Sequence, residues 1–395
     1  MGRQILLRSG WQSENIGDIA HTPGMLALLK ERIPDAGVTF WPFYNYLPPE
    51  EIALLKRHFP AATIATGRLS PEGKPSTPEL ARAFESADLF LHNSGPAMLG
   101  WADAAMFKRL RGKPFGVYGV SYGLYGIPEK ATLRDAAFLY FRDSISLAKA
   151  REDGVHSPIM GFTPDTAFAM NLRDDPKATA YLKANNLQRG EFLVCIPKHR
   201  FTPAWLHVHK NRPLDSERDS RNEAMAEHDH APLIEAIISV VRKTGKKILI
   251  GHEDETEMPI GKTWLYDRLP ADVKPSAVWR DTLWTVDEAL GIYVRSAGLF
   301  GHEMHSPILC VGSGVPAIVG RWAEQSTKGL MWRDIGLGDW LFDMDDEADV
   351  KKLPGAVLEM ASDPRSARQK IRKAREFVKK EQKKSMETVR KVIEQ

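Results

Sequence analysis

The sequence has only two cysteines, Cys195 and Cys310, in 395 residues, so disulfides cannot form the framework of the fold. No apolar run reaches the length of about 18 residues that a membrane-spanning helix needs. The formal net charge is only +3, which is too small to indicate nucleic acid as a partner. Short internal repeats are missing as well. Together these absences favour a globular protein of a reducing compartment, and we predict a cytoplasmic location.

Strand-like and helix-like segments alternate along most of the chain, which is typical of βαβ units in a mainly parallel sheet. The pattern therefore predicts an α/β fold with mostly parallel sheets. The predicted strands cover residues 4–8, 37–41, 88–92, 115–119, 137–142, 191–196, 247–250, 277–279, 297–300 and 317–320, and the strand at 297–300 ends a strand-like run at 291–300.

The chain is longer than one hydrophobic core usually supports, and its composition becomes polar near residues 175–190. We therefore predict two Rossmann-like domains, residues 1–180 and 181–363, that face a cleft. Residues 201–230 are rich in charged residues and histidine, and the sequence does not fix whether they are ordered. Residues 364–395 form a predicted basic helix. It is expected to pack one apolar face, and weak contact with an anionic membrane surface is the alternative.

Several predicted strands are followed directly by polar residues, and ligands of open α/β sheets bind at the carboxyl ends of the strands. Glu303 and His305 follow the strand-like run at 291–300, and Lys198 and Arg200 follow an earlier strand. His305 would lie in the first turn of a short helix, where the dipole and the free N–H groups favour an anion. The pattern predicts anion binding or acid–base chemistry here, although a histidine in this position can also cap the helix.

A second group of polar residues follows strands in the N-terminal half. Asn15, Gly17 and Asp18 come after the first strand, and Ser94 and Gly95 come after a later one. Gly17 would permit a close approach of the backbone or a positive φ. Asp18 can orient a hydroxyl group or cap a helix, and both readings stay open.

Two further patterns are weaker. Residues 252–255 form an acidic segment after a strand, which we interpret as a solvated turn, with a role as a base left open. His302 and His305 are three residues apart, whereas zinc proteases need histidines four residues apart on a helix. We predict no metal site.

The order of short motifs from residue 9 to about residue 340 resembles the polysaccharide pyruvyl transferase family. One departure stands out, because this chain has Glu303 where the family has an arginine two residues before the histidine. The segments that resemble the family are Asn15–Asp18, Ala87–Gly95, Gly112–Gly123, Arg142–Ser146, Asp165–Phe168, Glu303–His305, Gly314–Pro316 and Lys328.

The resemblance implies two GT-B-like domains, with the acceptor on the N-terminal side and the donor on the C-terminal side. It implies a transferase that moves pyruvate from phosphoenolpyruvate to a sugar or lipid-linked glycan precursor of the cell surface. Phosphoenolpyruvate would be a substrate, and no bound cofactor is expected. The candidate residues are His305, Asp18 and Glu303 for catalysis, Lys198, Arg200, His305, Arg321 and Lys328 for the donor, and Asn15, Gly17, Asp18, Ser94 and Gly95 for the acceptor.

Glu303 reverses the charge at the position of an anion-binding arginine. Either another cation among the donor-binding candidates replaces that arginine, or the activity differs. The alternatives are a GT-B-type glycosyltransferase with a nucleotide-sugar donor, in which Glu324 would hold the ribose, and a catalytically inactive family member. The acceptor sugar and the oligomeric state stay open.

Overall fold

The structure is a computed structural model that describes residues 2–11, 13–44, 47–123, 126–207, 210–325 and 327–395. The chain forms two compact units. The first consists of Met1–Ser13, Asp18–Met170 and Glu376–Gln395, and the second of Glu14–Gly17 and Asn171–Arg375.

These units differ from the predicted domain limits in two ways. The boundary between the N-terminal and C-terminal parts lies at residues 170–171 instead of 180–181. Residues 364–395 are divided between the two units instead of forming a third part. The short segment Glu14–Gly17 groups with the second unit, although the sequence places it in the N-terminal domain.

The first unit contains a parallel sheet that is covered by helices. Its strands are β1 (Gln4–Ser9), β2 (Gly37–Pro42), β3 (Thr63–Ile64), β4 (Leu89–Asn93), β5 (Phe115–Val120), β6 (Phe138–Phe141) and β7 (Met160–Phe162). The helices of this part of the chain are α1 (Ile16–Arg32), α2 (Pro49–His58), α3 (Pro78–Ser86), α4 (Trp101–Arg111), α5 (Ile127–Arg134) and α6 (Ser144–Glu152). The strand order is β3-β2-β1-β4-β5-β6-β7, and the core includes Leu6, Phe90 and Phe115.

The second unit repeats this design. Its strands are β8 (Phe192–Ile196), β9 (Lys247–Ile250), β10 (Ala277–Trp279), β11 (Gly298–Gly301), β12 (Ala317–Arg321) and β13 (Leu341–Asp343). The remaining helices are α7 (Asp175–Ala184), α8 (Ser216–Thr244), α9 (Glu257–Ile260), α10 (Val286–Tyr293), α11 (His305–Gly312), α12 (Met331–Asp334), α13 (Glu347–Ser362) and α14 (Pro364–Glu394).

The sheet of the second unit is parallel throughout, in the order β10-β9-β8-β11-β12-β13. The central strands β8 and β11 are buried along their whole length, as expected for parallel strands covered on both faces. The order reverses between β8 and β11. This reversal creates a crevice at their carboxyl ends, the usual ligand position in such sheets.

Of the charged segment 201–230, whose order the sequence leaves open, residues 216–230 form the first half of the 29-residue helix α8. The carboxylate of Asp215 accepts the N–H of Arg218 at 3.2 Å and caps the helix, and Gly245 ends it in a left-handed conformation with φ of 71°. The first turns carry charged residues on all sides, so no apolar stripe marks them in the sequence.

The strand predicted at 297–300 is confirmed as β11, but the beginning of the strand-like run at 291–300 is not a strand. Residues 291–293 end the apolar helix α10, and β11 begins only at Gly298. A continuous apolar run does not show by its periodicity where a buried helix ends and a buried strand begins.

The predicted C-terminal helix is present as α14. Most of its apolar side chains are buried, including Ile371, Val378, Met386 and Val389, so the helix uses its apolar face for packing. Among the described residues, no helix combines the length and apolar character needed to cross a membrane. Weak contact of the basic face with an anionic surface stays a prediction.

Candidate active site at the carboxyl ends of β8, β9, β11 and β12

Four neighbouring strands of the second unit direct charged residues to one place. Lys198 follows β8, Glu253 follows β9, His305 follows β11 and Lys328 follows β12. Because the strands are parallel and adjacent, their carboxyl ends meet at one edge of the sheet. The fold thus brings together residues that are up to 130 positions apart.

Lys198 lies between two glutamates. Its Nζ forms an ion pair with Glu303 Oε1 and lies 3.6 Å from Glu257 Oε1. The side chain of Lys198 is 14% exposed, and those of Glu303 and Glu257 are 5% and 2% exposed. The cation proposed to replace the missing arginine is therefore paired internally with the glutamate that stands in the arginine's position.

His305 is held between a lysine and a third glutamate. Lys328 Nζ lies 2.8 Å from His305 Nε2, and His305 Nδ1 lies 3.4 Å from Glu253 Oε2. Lys328 Nζ also lies 3.2 Å from His305 Nδ1, and since an ammonium can only donate, whichever ring nitrogen carries no proton can accept from it. The imidazole of His305 thus lies between an ammonium and a carboxylate, surroundings that suit a group exchanging protons.

The first turn of α11 is already occupied by side chains of the protein. The N–H of Ser306 donates to Glu253 Oε1, and the N–H of Met304 donates to Glu303 Oε2 at 3.1 Å. The sequence predicts that these N–H groups receive the donor anion, but in the structure two internal carboxylates accept from them. A donor anion would rely on Lys328, Lys198 and His305 instead.

Gly17 packs directly against His305. A Cβ atom at Gly17 would overlap the side chain of His305, so only glycine fits. The N–H of Ile16 donates to the carbonyl of Glu253 at 3.0 Å, and Asn15 Oδ1 accepts the N–H of Gly17 at 2.8 Å. Close backbone approach, one of the two readings of Gly17, is thus the observed one.

The electrostatics of the cluster are uneven. Burial raises the pKa of Glu257 well above its ordinary value, and the charge of Glu303 raises it further. Burial acts in the same direction on Glu303, but Lys198 outweighs it and lowers the pKa of Glu303. Burial would lower the pKa of Lys198, yet Glu303 and Glu257 hold it above its ordinary value. Burial therefore favours the neutral form of Glu257, whereas Lys198 and Glu303 favour each other's charged forms.

Arg200, two residues after Lys198, belongs to a different network. It binds Asp229 through two nitrogens, at 2.9 and 3.0 Å, and its Nη1 lies 2.6 Å from Asp345 and 3.2 Å from Glu324. Glu324 also accepts from Arg221 at 3.0 Å. Three carboxylates thus surround the guanidinium predicted to bind the donor, and Glu324, the predicted ribose ligand, is bound to arginines.

Arg321 ends β12. Its Nη2 donates to the carbonyl of Trp322 at 2.8 Å, and its Nη1 lies 4.0 Å from Asp343. Gly329 packs on the side chain of Arg321, so the turn that carries Lys328 rests on it. Arg321 therefore supports this turn in the structure, and its role in donor binding stays a prediction.

The remaining candidates belong to the first unit. Asp18 Oδ1 lies 3.8 Å from His21 Nδ1, and His21 Nε2 lies 3.2 Å from Asp165, which also pairs with Arg142 at 2.9 Å. This chain of ionisable groups is buried from His21 onwards.

Ser94 and Gly95 form the turn after β4. Ser94 has a φ of 49°, a conformation that non-glycine residues rarely adopt, and its Oγ lies 2.9 Å from the hydroxyl of Thr166. Gly95 has a φ of 112°. The predicted acceptor roles of these residues stay predictions.

The sequence analysis misses Glu257, and it favours a solvated turn over a role as a base for the segment that contains Glu253. The segment 252–255 is interpreted as a solvated turn, but His252, Glu253 and Asp254 are buried, and Glu253 contacts both His305 and α11. The available signal is its position after β9, directly beside β8. An adjacent strand order cannot be read from the sequence alone, so this signal carries little weight before the sheet is known.

Glu253, Glu303 and His305 also place one oxygen or nitrogen each within 4.8 Å of one another, a spacing that could hold a metal ion. Two ammonium groups stand at this cluster, since Lys198 pairs with Glu303 and Lys328 contacts His305. They neutralise the charge that a metal ion would otherwise neutralise. The expectation of no metal site stays a prediction.

Solved structures with a similar fold include nucleotide-sugar enzymes. A UDP-glucosyltransferase from Polygonum tinctorium has 12% identity and a TM-score of 0.56, with 100% of this chain and 99% of that chain covered. HepE of Anabaena in complex with UDP and glucose has 10% identity and a TM-score of 0.56, with 97% of each chain covered. UDP-GlcNAc 2-epimerase of Methanocaldococcus jannaschii has 12% identity and a TM-score of 0.54, with coverages of 90% and 92%.

The two parallel sheets and these likenesses define a protein of two Rossmann-like domains with a GT-B-like fold. The model of the polysaccharide pyruvyl transferase family matches residues 15–321, and the chain belongs to this family. The match spans both units and indicates a transferase. No curated protein sequence matches the chain.

Proposed function

We propose that this protein transfers pyruvate from phosphoenolpyruvate to a sugar of a cell-surface glycan precursor, free or lipid-linked, in the cytoplasm. The proposal rests on the contact between Lys328 and His305 in a member of this family. The two residues follow β12 and β11, beside the point where the strand order reverses. It joins a fixed cation to a group that can exchange protons, the two components that this donor requires.

The reaction needs one proton at carbon and two sugar hydroxyls. Protonation of the methylene carbon of phosphoenolpyruvate gives an oxocarbenium-like centre, and one hydroxyl adds to it. The phosphate leaves, and the second hydroxyl closes the ketal. The two hydroxyl protons balance the new C–H bond and the proton on the released phosphate. No redox partner is needed.

His305 is the proposed acid and base. Lys328 would contact the carboxylate or phosphate of the donor, and Glu253 would keep the ring oriented through Nδ1. Asp18 is proposed to orient the acceptor hydroxyl, together with Asn15, Gly17 and the turn at Ser94 and Gly95.

A nucleotide-sugar donor is the second candidate. The observation that favours it is the internal pairing of Lys198 with Glu303, which reduces the positive charge available to a highly charged donor. Glu324 does not add to this candidate, because its carboxylate is bound by Arg200 and Arg221. A family member without activity would bind neither donor.

Calorimetric titration with phosphoenolpyruvate tests the proposal. Binding to the wild-type protein should be lost or weakened at least tenfold in His305→Ala and in Lys328→Ala, because each removes a donor contact. His156→Ala, which alters an exposed histidine of the first unit, should bind as the wild type does. Binding of a uridine diphosphate sugar without binding of phosphoenolpyruvate would favour the second candidate. Binding of neither would indicate an inactive member.

A further inference from the structure

One carboxyl oxygen of Glu257, Oε1, lies in surroundings that favour its protonation. Its Oε2 accepts the N–H of Glu253 at 2.7 Å, whereas its Oε1 is buried and accepts no hydrogen bond from the described residues. Glu257 and Glu303 face the same ammonium, because Lys198 Nζ lies 3.6 Å from Glu257 Oε1 and forms an ion pair with Glu303 Oε1. Two carboxyl groups can form a hydrogen bond with each other only when one of them is protonated.

The count of charges leads to the same result. Three buried glutamates, Glu253, Glu257 and Glu303, face two ammonium groups, those of Lys198 and Lys328. If every group were ionised, one negative charge would be left without a partner in the interior, which is costly. A single proton on the carboxyl pair makes the cluster neutral.

We propose that Glu257 and Glu303 share one proton above Lys198, and that this pair takes up a second proton when an anionic ligand binds Lys198. The second statement rests on the proposed function, since it requires a carboxylate- or phosphate-bearing donor. It explains how a glutamate can occupy the position of an anion-binding arginine: once protonated, Glu303 no longer repels the donor, and it releases Lys198 to bind it.

The groups that face the carboxyl pair come from every element around it. They are Lys198 after β8, Glu253 after β9, Tyr293 at the end of α10, His305 at the start of α11 and Lys328 after β12. Burial raises the pKa of Tyr293 well above its ordinary value, so its hydroxyl stays neutral. Binding of a donor at Lys198 and Lys328 removes both fixed positive charges from the glutamates, and a proton is the available replacement.

Infrared difference spectroscopy of the ligand-free protein tests the shared proton directly. Near neutral pH, the wild-type protein should show the carbonyl stretch of a protonated carboxyl group. Glu257→Gln and Glu303→Gln should each lose this band, since the remaining carboxylate pairs with Lys198. If burial alone protonated Glu257, the band would persist in Glu303→Gln, and that result would overturn proton sharing.

Calorimetry in buffers of different ionisation enthalpy tests the second statement. Phosphoenolpyruvate should bind the wild-type protein with uptake of about one proton more than it does in the double variant Glu257→Gln/Glu303→Gln. Ionisation of the ligand's own phosphate is common to both proteins and cancels. Wild-type affinity should fall by up to about tenfold per pH unit relative to the double variant.

Glu324→Gln is the matched control, because it removes a carboxylate from the Arg200 network and should leave proton uptake unchanged. Equal uptake in the wild type and the double variant would overturn the coupling. If phosphoenolpyruvate binds neither protein, the proposed donor and the coupling both fail, whereas the infrared band still decides whether the proton is shared.

Discussion

Lys198 and Arg200 are two residues apart after the same strand, yet their surroundings are opposite. Each of the three nitrogens of the Arg200 guanidinium donates to a carboxylate oxygen: Nε and Nη2 to Asp229, and Nη1 to Asp345. Burial would raise the pKa of Asp229, but Arg200 outweighs it and lowers the value, so the aspartate is ionised. This network is complete, and it joins the ends of β8, β12 and β13 to α8.

Around Lys198 the pairing is incomplete. One ammonium serves Glu303 and Glu257, and two carboxylate oxygens, Glu257 Oε1 and Glu253 Oε2, accept no hydrogen bond from the part of the chain described. A satisfied network stabilises a fold, whereas an unsatisfied one costs free energy and is characteristic of sites that act on ligands. Of the two cations, the partly buried and incompletely paired Lys198 is therefore the stronger candidate for contact with a ligand.

The largest effect is expected for Arg200→Ala. It leaves the buried Asp229 without its partner, and the free energy of unfolding should fall by about 3–5 kcal/mol. Arg221→Ala removes an exposed arginine from the same network and should cost less than about 1 kcal/mol. Urea denaturation measures both. Similar losses of unfolding free energy in the two variants would mean that the Arg200 network does not stabilise the fold.

A smaller loss is expected for Lys198→Met, about 1–3 kcal/mol, because Glu303 can become neutral by protonation when its ammonium is removed. Without Lys198, burial raises the pKa of Glu303. A raised carboxyl pKa gives stability that is present at low pH and lost as the pH rises. The deficit of this variant against the wild type should therefore grow from about pH 5 to about pH 8. A deficit that shrinks as the pH rises would contradict this account of Lys198.

Gly17→Ala should affect ligand binding at His305 more than it affects the stability of the fold. The added methyl group would displace His305, so phosphoenolpyruvate binding should weaken at least tenfold while stability falls by about 1–3 kcal/mol. Gly355→Ala places the same methyl group in open space on α13 and should be neutral or stabilising. Unchanged binding by Gly17→Ala would show that the position of His305 does not matter for the donor.

The smallest effect is expected for Glu257→Gln, which should change how steeply the free energy of unfolding varies with pH. Because the folded state raises the pKa of Glu257, its contribution is present below the ordinary carboxyl pKa and is lost as the pH rises towards the folded value. Wild-type stability should fall with pH across the neutral range by at most about 1.4 kcal/mol per pH unit from this group. The variant should show a flatter profile in unfolding measurements at several pH values, and an identical profile would argue against a neutral Glu257.

The sequence predicts the α/β fold and most strands, because buried parallel strands such as 192–196 and 247–250 are apolar runs with turn residues at both ends. It also places Lys198, Glu303 and His305 at strand ends, whereas Lys328 is indicated only by the resemblance to the family. It could not assign Lys198 and Arg200 to separate networks, because their partners lie 29 to 145 residues away in sequence. Glu257 was missed because its contacts depend on the order of β8, β9 and β11, which no local pattern encodes.

Residues 376–395 complete the first unit although they come last in the chain. Ser385 bonds to Tyr118 at 2.7 Å, Thr388 to Tyr140 at 2.8 Å and Gln382 to the carbonyl of Asp165 at 3.2 Å. During synthesis, α14 can therefore pack on the sheet that begins at Gln4 only after the whole second unit has left the ribosome. A nonsense codon near residue 375 would therefore leave the sheet of the first unit without the helix that packs on it.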